Sequence, residues 1–243
     1  VTIALSAMGT ASTVLVTRVL GKSSATSKVS EIATVALVVN VALAAAMTAV
    51  LFLFWPQFFS WLHIDGSITG MASSFLLIVG STTVVQGAFF AFTALLRSYA
   101  RGADVMRASL AMNAVNIAAS AVLIGGVAFV PAFGVEGAAV ANVVARVAGL
   151  AVACRLVLRH TDVRMRLAYL RPFPWKTLRR MLGVGIPSSG EQMNYDLAQI
   201  VILSFINVLG ATVVTVKVYC SMLASIAYLY SIALSQATQI VLG

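Results

Sequence analysis

Two carboxylates stand where carboxylates are costly. Glu191 and Asp196 interrupt an apolar run at 182–208. A charge at the centre of a bilayer costs about 2.5–3.5 kcal/mol on insertion scales, so each such residue is a candidate for chemistry. A desolvated carboxylate takes up a proton or a metal cation, or pairs with a cationic ligand. At about 1.5 Å per residue, Glu191 lies about 13 Å beyond residue 182, near the midplane of a core about 30 Å thick. Asp196 follows five residues later, about 140° around a helix. Glu191 therefore shares a face with Asn194 and Tyr195, and Asp196 shares one with Gln192 and Gln199. A helix carrying both faces must line a wet cavity or pack on polar neighbours. Pro187, one turn before Glu191, removes a backbone hydrogen bond and is the expected hinge.

Other polar groups recur at helical spacing. Ser109, Asn113, Asn116 and Ser120 form one stripe, and Thr82, Gln86 and Thr93 form another. Each stripe either faces the same cavity or hydrogen-bonds a neighbouring helix. Arg146 and Lys217 are the remaining charges inside apolar runs. Arg146 is expected to pair with Asn142 one turn earlier, or with a carboxylate. Lys217 is expected to snorkel to the outer end, or to belong to the site.

Chemistry of other kinds finds little support. The two cysteines, Cys154 and Cys220, form no CxxC, and His63 and His160 are far apart, so no metal-ligand spacing appears. Ser188 approaches a nucleophile pattern, but Ile186 stands where that pattern needs glycine. An intramembrane enzyme would need a nucleophile–base pair or metal ligands. No phosphate-binding glycine loop is present, so nothing points to ATP or to a bound cofactor.

The elements that must carry these residues follow from composition. The chain is 60% hydrophobic and only 9% charged over 243 residues. So few charges cannot cover a soluble surface, and lipid must cover most of it. Apolar runs near 1–20, 30–54, 71–96, 106–130, 135–158, 182–208 and 211–240 are each long enough for a tilted helical span. The expected fold class is all-α, a polytopic membrane bundle of about seven helices. All the basic residues except Arg146 and Lys217 fall in the first, third and fifth connections. That alternation places 21–29, 97–107 and 159–181 in the cytoplasm. It also explains the net charge of +9 without nucleic acid. Trp55, Phe58, Phe59 and Trp61 would form an aromatic belt at the opposite face. The basic stretch 161–181 divides the chain into a first lobe, 1–160, and the start of a second, 182–243. Trp175, Lys176, Arg179 and Arg180 within it read either as a short amphipathic helix on the anionic inner leaflet or as part of a solvated linker.

Several stretches resemble the multidrug and toxic compound extrusion (MATE) family. Arg97 to Asp104 (RSYARGAD), followed by Asn113 and Asn116, resembles that family's "lRg.Gd…N..N" stretch. Gly134 to Ala139 (GVEGAA), followed by Ala145 and Arg146, is similar to its "GvaGAA…aR" helix. Gly185 to Glu191 (GIPSSGE) is similar to its "GiPsa.E" entry into the second half. Ala233 to Ala237 with Leu242 and Gly243 match the end of the next helix.

The resemblance implies twelve helices in two lobes, of which this chain would hold the second to the eighth. Starting within an apolar run at Val1, it would lack the first helix and the last four. It further implies a monomeric antiporter of the cell (inner) membrane, surrounded by lipid. The cargo would be organic cations or amphipathic drugs, exported against Na+ or H+ by alternating access. Glu191 or Asp196 would then be the coupling carboxylate, and the motif favours Glu191. Gln192, Tyr195, Asn113, Asn116 and Gln86 would line the site. Some members carry an acidic residue near the position of Ser120, which this chain does not. Rival readings are a lipid or polysaccharide flippase of the same superfamily, which should line its cavity with several cations, and a non-transporting membrane scaffold.

Overall fold

The computed structural model describes residues 2–22, 26–61, 66–126, 131, 133–163, 165–171, 174–208 and 211–242. Within its helices many side chains, chiefly near helix ends and with Glu191 among them, lie outside the described set. The described residues form eight α-helices and no strand. They are α1 (Thr2–Lys22), α2 (Thr26–Trp61), α3 (Gly66–Ser81), α4 (Thr83–Ser98), α5 (Gly102–Gly125), α6 (Gly134–His160), α7 (Trp175–Val208) and α8 (Ala211–Leu242).

Among the described residues, five helices are long and apolar enough to cross a membrane: α1, α2, α5, α6 and α8. The run expected at 71–96 is not one straight helix. It is broken at Thr82 into α3 and α4, which meet at 42°. Counted as one span, the pair makes a sixth. α7 has 34 residues, about 51 Å of helix, but its polar stretch keeps it out of those five. It also starts earlier than expected. Trp175, Lys176, Arg179 and Arg180 are its first two turns, not a separate helix on the leaflet. The helical part of the linker is a single 3-10 turn, Leu167–Leu170. Basic residues at 176–180 are expected to keep the first turns of α7 in the interface, so that depth counts from about residue 182.

α1 is central: it packs on α2, α4, α7 and α8. α5 and α6 form the tightest antiparallel pair, and α4 joins them to α1 and α2. Small residues permit these approaches. A Cβ on Gly87 of α4 would come within 2.8 Å of the Asn40 carbonyl of α2. Close backbone approach by small residues is how membrane helices associate without a hydrophobic driving force between them.

The ends of the helices sort by charge. The apolar cluster of Val16, Val29, Leu95, Leu96, Val157 and Val163 draws together the C-terminal ends of α1, α4 and α6 and the start of α2. Every basic connection therefore lies at one end of the bundle, as positive-inside orientation requires. Of the expected aromatic belt, Trp55 is half-buried near the end of α2, and the side chains of Phe58, Phe59 and Trp61 lie outside the described residues.

Candidate functional site

The break between α3 and α4 is the best-defined polar locus within the bundle. A helix break in lipid frees carbonyls that need donors. The Val79 carbonyl accepts from Thr82 N at 3.3 Å and from the Thr82 hydroxyl at 2.9 Å. It also accepts from Arg146 Nη1 at 3.1 Å, and the same nitrogen donates to Thr82 Oγ1 at 3.1 Å. The next carbonyl, Gly80 O, accepts from the Thr48 hydroxyl of α2 at 3.1 Å. Arg146 is twelve residues into the 27-residue α6, near its middle. The partners expected for it were Asn142 or a carboxylate. The structure gives it neither among the described residues; it fastens the break instead. A planar guanidinium suits this task, since one group reaches two acceptors in fixed geometry.

Beside the break lies a cavity of about 190 Å³ that includes Gln86, Thr83, Phe75, Leu51 and Arg146 in its lining. Thus the structure brings Gln86 and Arg146 together. Thr93 of the same stripe is buried and returns its hydroxyl to Phe89 O at 2.9 Å, a local bond.

The α5 stripe sits elsewhere. Asn113 is exposed, and half-buried Asn116 accepts from the Ser120 hydroxyl at 3.1 Å. α5 packs on α6 and α4, whereas α7 packs on α1, α2 and α8. Asn113 and Asn116 are therefore on a different flank from the α7 carboxylates.

On α7, Asp196 meets Gln192, one of the two residues expected to share its face. Gln192 Nε2 donates to Asp196 Oδ1 at 3.3 Å. Lys217 Nζ of α8 donates to Gln199 Oε1 at 3.3 Å, so Lys217 turns toward α7 rather than running free to the outer end. Asp196, Gln199 and Lys217 are half-buried, while Gln192 and Tyr195 are exposed in this chain. The side chain of Glu191 lies outside the described residues. Its backbone sits within continuous helix that runs through Pro187. Proline has no N–H to offer the carbonyl of Gly183, and Ser189 Oγ donates to Gly185 O at 2.9 Å in the same turn. Gly185 in turn lets α7 press on Met8 and Ala11 of α1.

Sequence reasoning missed three features. His160, two residues past the apolar run expected to end at 158, is the last residue of α6, with Nδ1 within 2.8 Å of Asp104 Oδ2. Asp104 is buried in the first turn of α5 and accepts from Arg107 Nη1 at 2.8 Å. This trio ties the cytoplasmic ends of α5 and α6. Close by, burial and then the charge of Asp162 raise the Tyr99 phenol above its usual value, so it stays protonated at neutral pH. Second, Asn40 is fully buried; its amide donates to Ala36 O at 3.0 Å, and its Oδ1 meets no donor among the described residues. Third, Thr48 had no pattern to mark it. The Ser81-Thr82-Thr83 cluster after Gly80 was the available signal for the break.

Comparison with known proteins follows the same lines. The family model MatE matches residues 1–122. The chain is 33% identical over 236 residues to "Uncharacterized transporter YisQ" of Bacillus subtilis (strain 168), covering 97% of this chain and 52% of that protein. It is 24% identical over 149 residues to "Probable multidrug resistance protein NorM" of Thermotoga maritima, covering 61% of this chain and 32% of that protein. A solved outward-facing multidrug resistance MATE family transporter of the MOP superfamily superposes with a TM-score of 0.85 at 20% identity, over 98% of this chain and 53% of its own. The chain spans about half the length, or less, of the curated relatives it matches.

Proposed function

Since the chain belongs to the MatE family and is a multi-pass membrane protein, we propose that the complete protein is a secondary active transporter of the cell membrane. It exports organic cations or amphipathic drugs in exchange for Na+ or H+. The observation that carries this reading is the polar face of α7: Asp196 held by Gln192, and Gln199 held by Lys217, on a helix that packs against the apolar spans α1 and α8. The names of the relatives, one a transporter and one a probable multidrug resistance protein, support the class.

Glu191 is the coupling residue in this reading, with Asp196 as its neighbour on the adjoining face. A desolvated carboxylate is neutralised by H+ or Na+ in one state and by the cationic cargo in the other. Mutually exclusive occupancy links the two flows, because each ligand favours the conformation that binds it better. Pro187 supplies the hinge for alternating access between the lobes. Gln192 and Tyr195 contact cargo on the polar side of α7; Asn113 and Asn116, on the other flank, have no part in that contact.

The cations argue for this cargo over the anionic headgroup of a flippase. Arg146 is engaged with Val79 O and Thr82, and Lys217 with Gln199. These two cations stand against two carboxylates on α7, Glu191 and Asp196, a balance that suits a cationic cargo. The test is efflux of a cationic dye from proteoliposomes holding the complete protein. Efflux driven by an imposed inward sodium or proton gradient is expected, and it should collapse with the gradient. Dye flux that ignores both gradients would overturn the coupling, and flux of anionic lipid in its place would favour the flippase.

A further inference from the structure

At the cytoplasmic end, α1, α2 and α7 border a half-open cavity of about 380 Å³ whose three cations are exposed. Arg18, Lys28 and Arg180 line it, one cation from each helix, with Thr177 beside them and Leu15 and Ile32 forming apolar wall. We propose that this cavity is a binding site for the phosphodiester of an anionic phospholipid, held at headgroup level.

Three observations converge on a phosphate. Among the described residues no carboxylate comes within ion-pair reach of Arg18, Lys28 or Arg180, the only ion pairs being those of Asp104. Glu31, one turn along α2 from Lys28, accepts from the Thr177 hydroxyl at 2.8 Å. Even against that carboxylate the cavity keeps an excess of positive charge, and three like charges facing one space favour a shared anion. Second, α2 and α7 both begin here, with Lys28 and Thr177 in their first turns, so the positive ends of two helix dipoles add to the field.

The third observation separates lipid from a soluble anion. Arg18 is four residues from the end of α1, Lys28 two from the start of α2 and Arg180 five from the start of α7. At about 1.5 Å per residue, all three lie within about 8 Å of their helix ends, the depth of a headgroup. Leu15 and Ile32 continue the wall inward from the cations, where an acyl chain attached to the phosphate would lie. A free phosphate has no use for that wall. Basic pockets between membrane helices on the cytoplasmic side suit such headgroups. An occupant there would brace α7 against α1 and α2, the contact across which the proposed first and second lobes meet.

The test uses the complete protein in neutral detergent and reads lipid binding by native mass spectrometry. The probes are phosphatidylglycerol, phosphatidylcholine and inorganic phosphate. The parental protein is expected to retain phosphatidylglycerol in preference to phosphatidylcholine. The triple variant Arg18→Gln, Lys28→Gln, Arg180→Gln should weaken phosphatidylglycerol about a hundredfold, the combined effect of three basic residues on an anionic lipid. A control of equal charge, Arg159→Gln, Arg166→Gln, Arg171→Gln, removes exposed cations outside the cavity and should change it less than about twofold. If the triple variant does not fold, Arg18→Gln and Arg180→Gln singly should each weaken binding about fivefold. Equal losses in the triple variant and the control mean diffuse attraction and overturn the site. Displacement of the lipid by inorganic phosphate alone at millimolar concentration overturns the lipid assignment.

Discussion

Replacing Arg146 with Met tests what holds the break between α3 and α4. Met keeps an unbranched stem and removes the guanidinium. Two bonds from Nη1 disappear, to Val79 O and to Thr82 Oγ1, both at 3.1 Å. A hydrogen bond from a charged donor contributes about 1.5–3 kcal/mol net. Two effects reduce the sum. Val79 O keeps Thr82 N and the Thr82 hydroxyl, so no acceptor is orphaned. Removing a half-buried charge also returns part of its desolvation cost. The expected net loss is about 2 kcal/mol, roughly a thirtyfold shift in the unfolding equilibrium. Arg146→Lys should lose part of the same amount, because both bonds leave from Nη1 and the lysine ammonium ends one atom short of it. The pairwise term is isolated by a cycle with Thr82→Val, which should show a coupling of about 1 kcal/mol. The assay is reversible unfolding of the complete protein in micelles. An Arg146→Met variant as stable as the parent, or a coupling within about 0.3 kcal/mol of zero, would refute the role given to Arg146.

Three further outcomes follow from the cytoplasmic end. Ala100 has φ +55° at the end of α4, where Ala100 N bonds Arg97 O and Arg101 N bonds Leu96 O, a helix-ending motif that favours glycine; Ala100→Gly should stabilise by about 0.5–1 kcal/mol, and a lower melting temperature would contradict this. Asp104→Asn removes the buried carboxylate shared by Arg107 and His160 and should cost about 1–3 kcal/mol, read by thermal melting; unchanged melting would show that the α5–α6 tie contributes nothing. Arg101→Cys, an exposed position between α4 and α5, should react with a membrane-impermeant thiol reagent only after permeabilisation, and labelling in intact cells would reverse the topology.

Much of the architecture was legible because bilayer thickness and loop charge act on long stretches of chain. Helix existence and the gathering of all basic connections at one end followed from those two patterns. The break at Thr82 was not legible, because an apolar window of the right length hides a local kink. What makes the kink tolerable is distant in sequence: Thr48 and Arg146 supply the donors that Gly80 and Val79 need. The start of α7 was misplaced for a related reason. Basic residues at 176–180 look like a linker in sequence, yet they can begin a long helix whose first turns lie in the interface. At the site, local spacing worked within one helix: Gln192 and Asp196, four apart, do meet. It failed between helices. The α5 asparagines and the α7 carboxylates share a polar character, but α5 packs on α6 while α7 packs on α1. Asp104 and His160 were passed over because neither sits in a polar stripe; their contact exists only once α5 and α6 pair.

The central claim is that a carboxylate on α7 couples cargo export to an ion. The most direct measurement is gradient-driven efflux by the complete protein carrying Glu191→Gln, which keeps the shape and removes the titration. Efflux should be abolished with expression and insertion intact, while Asp196→Asn should reduce it less. Efflux at the parental rate through the neutral pH range and over a range of sodium concentrations would contradict the account and remove Glu191 from the coupling role.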